Sequence, residues 1–153
     1  MENFKPVIEE LEKRKKEPLK KSVDRAISGM VKLLKALDVR AISPAEVDEH
    51  IKTLRNVLNE PLKATKINGV YNNIIRKIYK DHKLVAPDYY RNLWMVIGMT
   101  AFGMPIGVAI FAATGNAAFI SIGLPMGMPI GMAIGMQMDK KAAAEGRALV
   151  FEE

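Results

Sequence analysis

Two histidines, His50 and His82, could in principle ligate a metal or act as a base near neutral pH. Neither has a second His, a Cys or a paired carboxylate at a ligand spacing such as H-x-x-x-H or H-E-x-x-H. They read as surface or helix-end histidines. Ser22 and Ser28 lie in no G-x-S-x-G context, and Gly29 and Gly69 are isolated rather than part of a phosphate loop. The chain has no Cys, which removes thiol chemistry and a disulfide framework. The most regular chemical constellation is thioether. Met128, Met132 and Met136 recur every four residues, flanked by Met126 and Met138, with Met95, Met99 and Met104 earlier in the chain. Thioethers bind soft Cu(I), but the same side chain also fills irregular packing gaps. With no Cys or His beside them, these Met residues read as packing and lipid contact. The expectation is a non-enzymatic protein with no cofactor and no metal site.

The elements around those methionines carry the stronger signal. Residues 92–138 contain no Lys, Arg, Asp or Glu, and all 23 basic and 17 acidic residues lie outside that block. A bilayer core of about 30 Å needs about 20 apolar residues in a helix. The block holds twice that, interrupted at Thr114, Gly115 and Asn116. It predicts spans at 94–113 and 117–138, joined so tightly that they run antiparallel. Gly123, Gly127, Gly131 and Gly135 fall at four-residue steps, as do Gly103 and Gly107. A step of four drifts only about 40° around a helix, so each series lies along one face. Small residues let helices approach closely where lipid removes the hydrophobic drive for association. These six glycines are the expected helix-packing residues, within one hairpin and between hairpins.

The block also repeats. Residues 103–110 read GMPIGVAI and 127–134 read GMPIGMAI, which points to related faces in the two spans. Pro105 and Pro129 occupy matched places in the copies and are expected to kink both spans. A re-entrant hairpin is the alternative to full crossing. Arg91 precedes the first span, Lys140 and Lys141 follow the second, and the tip carries no charge. The positive-inside rule then puts both termini in the cytoplasm, with Tyr89, Tyr90 and Trp94 at the headgroup level. No ionisable residue lies inside either span, which argues against a proton relay or a charged selectivity site.

Residues 1–91 are basic and polar. Four amphipathic helices are predicted, at about 5–17, 19–39, 44–58 and 67–80. The third has the clearest start: Ser43 as N-cap, Pro44 at the first helical position and Glu46 completing a capping box. No alternating strand pattern appears. The opening residues carry charges too densely for a secretory signal, and Glu2 stands where N-myristoylation would need Gly. The basic excess suits a solvated surface, anionic headgroups or a cytoplasmic protein partner. There is no recognition-helix or stacking signature for nucleic acid.

Residues 127–147, GMPIGMAIGMQMDKKAAAEGR, resemble the small bacterial glycine-zipper membrane proteins, in which a GxxxGxxxG hairpin ends in an Asp and a basic, Ala-rich tail. The resemblance covers residues 94–147. It implies residence in a bacterial inner membrane and self-association, and it brings no catalytic residues. The expected fold is therefore all-α, with a cytoplasmic helical region at 1–91, a transmembrane hairpin at 92–138 and a short cytoplasmic tail at 139–153. The expected function is a homo-oligomeric membrane protein that presents its basic region to a cytoplasmic partner or lipid surface. Oligomeric pore formation is the alternative, and a colicin-like soluble inserter ranks below it because only four helices are available as cover.

Overall fold

Apolar residues at 3.6-residue spacing make the helices of the first half, and their buried stripes define its core. The computed structural model describes residues 4–151. The first helices are α1 (Lys5–Lys15), α2 (Lys21–Val39), α3 (Asp48–Leu58) and α4 (Ala64–His82). Among the described residues there is no strand, only an isolated bridge between Val85 and Ala148. The expected cap at Ser43 is present. Its hydroxyl accepts from the Ala45 N–H at 3.2 Å, and Glu46 accepts from the Ser43 N–H at 3.0 Å. The first turn there is 3-10, Pro44–Val47, and α3 follows it.

The chain divides into two units. The first holds residues 4–84 and takes back 149–151; the second is Val85–Ala148. In the first unit α2 packs on α1 and α4, and α3 packs on α4. Ile27, Met30, Leu33, Leu34 and Leu37 of α2 are fully buried among Leu11, Leu54, Ile67 and Ile74. Leu149 completes this core at 2% exposure.

The second unit contains α5 (Tyr89–Gly98), a π-helical turn (Met99–Gly103), α6 (Met104–Thr114) and α7 (Ala118–Ala144). The first three form one continuous helical stretch, Tyr89–Thr114, of 26 residues, and α7 has 27. At 1.5 Å per residue each is about 39 Å long, enough to cross a bilayer core of about 30 Å. Both are also apolar enough to do so. Residues 139–151 are divided between the two units. Residues 139–144 continue α7, the Val85 N–H donates to the Arg147 carbonyl at 2.9 Å, and Leu149 is drawn into the first core. Ala142 and Leu149 are apolar and bury, which the charge-based reading of this segment did not weigh.

Candidate functional site

Glycines make up nearly all the buried positions in the helices of the second unit. Gly98, Gly103, Gly107, Gly123, Gly127, Gly131, Gly135 and Ala142 are the buried positions of its helices. The large side chains point away from them. Val96, Val108, Ile122, Ile130 and Met126 are all exposed. This inverts the pattern of a water-soluble helix pair, in which the large apolar residues would be inside.

What the glycines touch is backbone. A methyl group on Gly98 would lie 2.5 Å from the Gly127 carbonyl oxygen. One on Gly103 would lie 2.8 Å from the Gly123 carbonyl oxygen, and one on Gly107 2.6 Å from that of Ile120. From the other side, a methyl on Gly127 meets the Gly103 nitrogen at 2.6 Å, and one on Gly135 meets the Arg91 Cα at 2.5 Å. Gly131 lies against the carbonyl group of Trp94 and the Cα of Gly98. The contacts rise along α7 as they descend through α6, the π turn and α5. The pairs Gly98–Gly127 and Gly103–Gly123 are reciprocal, each glycine meeting the backbone of the other, while Gly107 meets Ile120 and Gly131 meets Trp94. All six glycines singled out in the sequence thus lie on this one seam.

A seventh, Gly98, was missed. It stands five residues before Gly103, and five residues of α-helix turn about 500°, which carries a residue about 140° off the face. The π turn spends one extra residue in that interval, bringing Gly98 back onto the seam. Its position relative to Pro105 gives it a cause. Pro105 directly follows the π turn, whose wider loop of backbone gives room for a residue that cannot donate an N–H. Pro125 and Pro129 lie inside α7, which runs on without a π or 3-10 segment. Pro105 and Pro129 are therefore accommodated differently, despite their matched places in the repeat.

The seam ends in a charge. Asp139, four residues beyond Gly135, accepts from the backbone N–H of Tyr90 and of Arg91, both at 2.9 Å. These are orphan donors at the start of α5, where the helix dipole favours a carboxylate. Asp88, at the N-cap position itself, has φ +58° and makes no side-chain cap. It pairs instead with Arg91 at 3.2 Å. The expected anchors gather around this contact. Tyr89 and Tyr90 meet edge to face at 5.2 Å, and Lys140 and Lys141 follow Asp139 directly. The aligned step Gly123, Gly127, Gly131, Gly135, Asp139 was the available signal for Asp139.

The few hydroxyls of the apolar stretch are satisfied on their own helices. Thr100 donates to the Val96 and Ile97 carbonyls, each at 3.1 Å, Thr114 to Ile110 at 2.8 Å and Ser121 to Ala118 at 2.7 Å. At the connection Gly115 has φ +71°, and Asn116 accepts from the Ala118 N–H at 3.0 Å.

In the first unit His82 and Glu46 pair at 2.6 Å, joining the end of α4 to the cap of the 3-10 turn. The Ser43 N–H foremost, and then His82, hold the Glu46 carboxyl below its usual range. This is a helix-end histidine with a structural partner distant in sequence. Among the described residues no group of three His, Cys, Asp or Glu could hold a metal. Comparison with protein-family models, with curated proteins and with solved structures finds no match.

Proposed function

We propose that this is a non-enzymatic integral membrane protein whose second unit crosses the bilayer as an antiparallel hairpin closed by a glycine zipper, holding the basic helical unit on the cytoplasmic side. The observation that carries the reading is the inverted burial of the two long helices. Only 17% and 22% of their most apolar windows are buried within the chain. A core helix of a soluble protein would be mostly covered. Here the backbones close on glycine and the large apolar side chains face outward, the arrangement that lipid rewards. The flanking Arg91, Lys140 and Lys141 support cytoplasmic termini.

Within this reading the glycine faces are occupied by the chain's own second helix. A second hairpin would then dock on the outward faces carrying Val96, Val108 or Ile130, so self-association does not require the zipper glycines. A pore is disfavoured within one hairpin, because backbone contact along the seam leaves no lumen.

The test uses single cysteines, which the Cys-free chain permits. In sealed vesicles of known orientation, Val108→Cys and Ile130→Cys should resist a water-soluble maleimide. Ser22→Cys should react from the cytoplasmic side, and Asn116→Cys only from the opposite side. Reaction of Asn116→Cys from the cytoplasmic side would replace the crossing by a re-entrant hairpin. Free reaction at Val108→Cys would remove the membrane assignment altogether.

A further inference from the structure

We infer that the corner between α1 and α2 is a contact surface for the anionic lipid headgroups of the cytoplasmic leaflet. The inference rests on the membrane reading above and names the partner of the basic unit. Residues 13–21 read KRKKEPLKK, six basic residues against Glu17 alone. They occupy the last turn of α1, the connection and the first residue of α2. Arg14 is committed internally: it pairs with Glu17 at 3.4 Å and donates to the Leu58 carbonyl at 3.1 Å. Two of the three carboxylates earlier on α1 are drawn to other helices, Glu12 to Lys35 at 3.0 Å and Glu10 to Arg55 at 3.9 Å. Lys13, Lys15, Lys16, Lys20 and Lys21 are left exposed, with no carboxylate partner among the described residues. Elsewhere on the unit Lys52 pairs with Asp48 at 2.6 Å, Lys77 with Asp81 at 2.8 Å and Lys66 with Glu60, while Lys5, Lys32, Lys63, Lys80 and Lys83 are spread along the sequence without an ion pair among the described residues. The densest run of basic residues in the chain is thus at this corner.

Two of these lysines work against their own helix. Lys20 is the N-cap of α2, with no side-chain cap, and Lys21 is its first residue. A helix N-terminus carries the positive end of the dipole and favours anions. Cations placed there cost the isolated unit stability, and an anionic surface beside them reverses the sign. All five are Lys rather than Arg, compact point charges suited to diffuse attraction rather than to forked, bidentate recognition. No Phe, Tyr or Trp lies in residues 13–25 to stack on a base, so the corner lacks the usual companion of single-stranded nucleic-acid binding. A surface charge of this kind acts within about a Debye length of a leaflet, about 8 Å at physiological salt.

The full chain, reconstituted in vesicles, tests this. Ser22→Cys, exposed in the first turn of α2, carries an environment-sensitive fluorophore. Val108→Cys in a parallel sample reports insertion. With 30% phosphatidylglycerol, a vesicle composition chosen for the assay, the Ser22 label should be shielded from iodide. It should be open to iodide in pure phosphatidylcholine vesicles, and 0.5 M salt should abolish the difference. Each Lys→Gln change at 13, 15, 16, 20 or 21 should lower the ratio of shielded to open label about fivefold. In detergent the pair K20Q/K21Q should raise the thermal midpoint of the first unit, a shift opposite in direction to its effect on lipid contact. Equal iodide access in both vesicle types, with Val108→Cys protected, overturns the lipid assignment and leaves the hairpin standing. Shielding by added RNA but not by anionic lipid also overturns it. Reaction of Val108→Cys from water refutes the membrane reading and the inference that rests on it.

Discussion

Gly131→Ala adds one methyl group where the seam has no room. That carbon would stand 2.8 Å from the carbonyl carbon of Trp94 and 2.9 Å from the Cα of Gly98, with the Trp94 carbonyl oxygen closer still. Ordinary carbon contacts lie at about 3.5–4.0 Å, so the two helices must part locally by about 1 Å. The obstructing atoms are backbone and cannot rotate aside. Overpacking of this kind costs about 1–3 kcal/mol. Alanine returns about 0.5–1 kcal/mol through better helix propensity, which leaves a net loss of about 1–2 kcal/mol. The same substitution at Gly69 meets nothing within 4 Å and should show the opposite sign, a gain of about 0.5–1 kcal/mol. Trp94, the chain's single Trp, lies on the seam and reports the first change directly. Its fluorescence during SDS titration in mixed micelles follows the hairpin, and urea titration followed by circular dichroism follows the first unit. A Gly131→Ala hairpin as resistant to SDS as the parent would refute the close-contact argument. A Gly69→Ala change that destabilised would show that the opposite sign does not come from space alone.

Three further outcomes are expected. Deleting Ala101, an exposed residue of the π turn, brings the Gly98–Gly103 interval to four and keeps the seam in register, so that the only loss should be the relief the turn gives Pro105. Deleting Val96 shortens the Trp94–Gly98 interval to three and should destabilise the hairpin more, and equal losses from the two deletions would refute the register role of the π turn. Asp139→Ala should cost about 0.5–2 kcal/mol through loss of a charged N-terminal cap, with Asp139→Asn retaining part of it; SDS titration measures both, and an unchanged Ala variant would remove the cap from the account. Glu46 is held below its usual range in the folded state, so its contribution is present above the unfolded value of about 4.5 and is lost as pH falls through the folded one. Thermal midpoints of the first unit from pH 6 to pH 3 should therefore fall less steeply in Glu46→Gln than in the parent, and parallel slopes would contradict the linkage.

The helices were legible because their periodicity is strong. The stripe Val23, Ile27, Met30, Leu34 and Leu37 is also the buried stripe of α2, and the Ser43 capping box stands as its spacing implied. The two apolar helices were legible from an absence of charge. Gly98 was hidden because the rule for a helix face assumes an α-helix throughout, and the π turn breaks that assumption at one place. The cap on α5 was hidden because its acceptor lies 49 residues beyond Tyr90, and local capping rules look only at Asp88. His82 was read without a partner for the same reason, since Glu46 lies 36 residues away. Leu149 and Phe151, which packs beside it on the same core, lie in a run of four apolar residues too short to show a period. The His82–Glu46 contact is tertiary and has no spacing to mark it, whereas Asp139 was marked by the four-residue step it shares with the glycines.

The return of Leu149 to the first unit has a consequence for the order of synthesis. A ribosome makes residues 4–84 first, then both apolar helices, and only then the residue that closes the earlier core. The first unit therefore emerges with an apolar vacancy among its helices, and that vacancy is filled after the whole of Val85–Ala148 has been produced. Completion of the polar half thus follows, in time, the making of the apolar one, and a chain stalled before Leu149 would present an unfinished core to the chaperones that meet it.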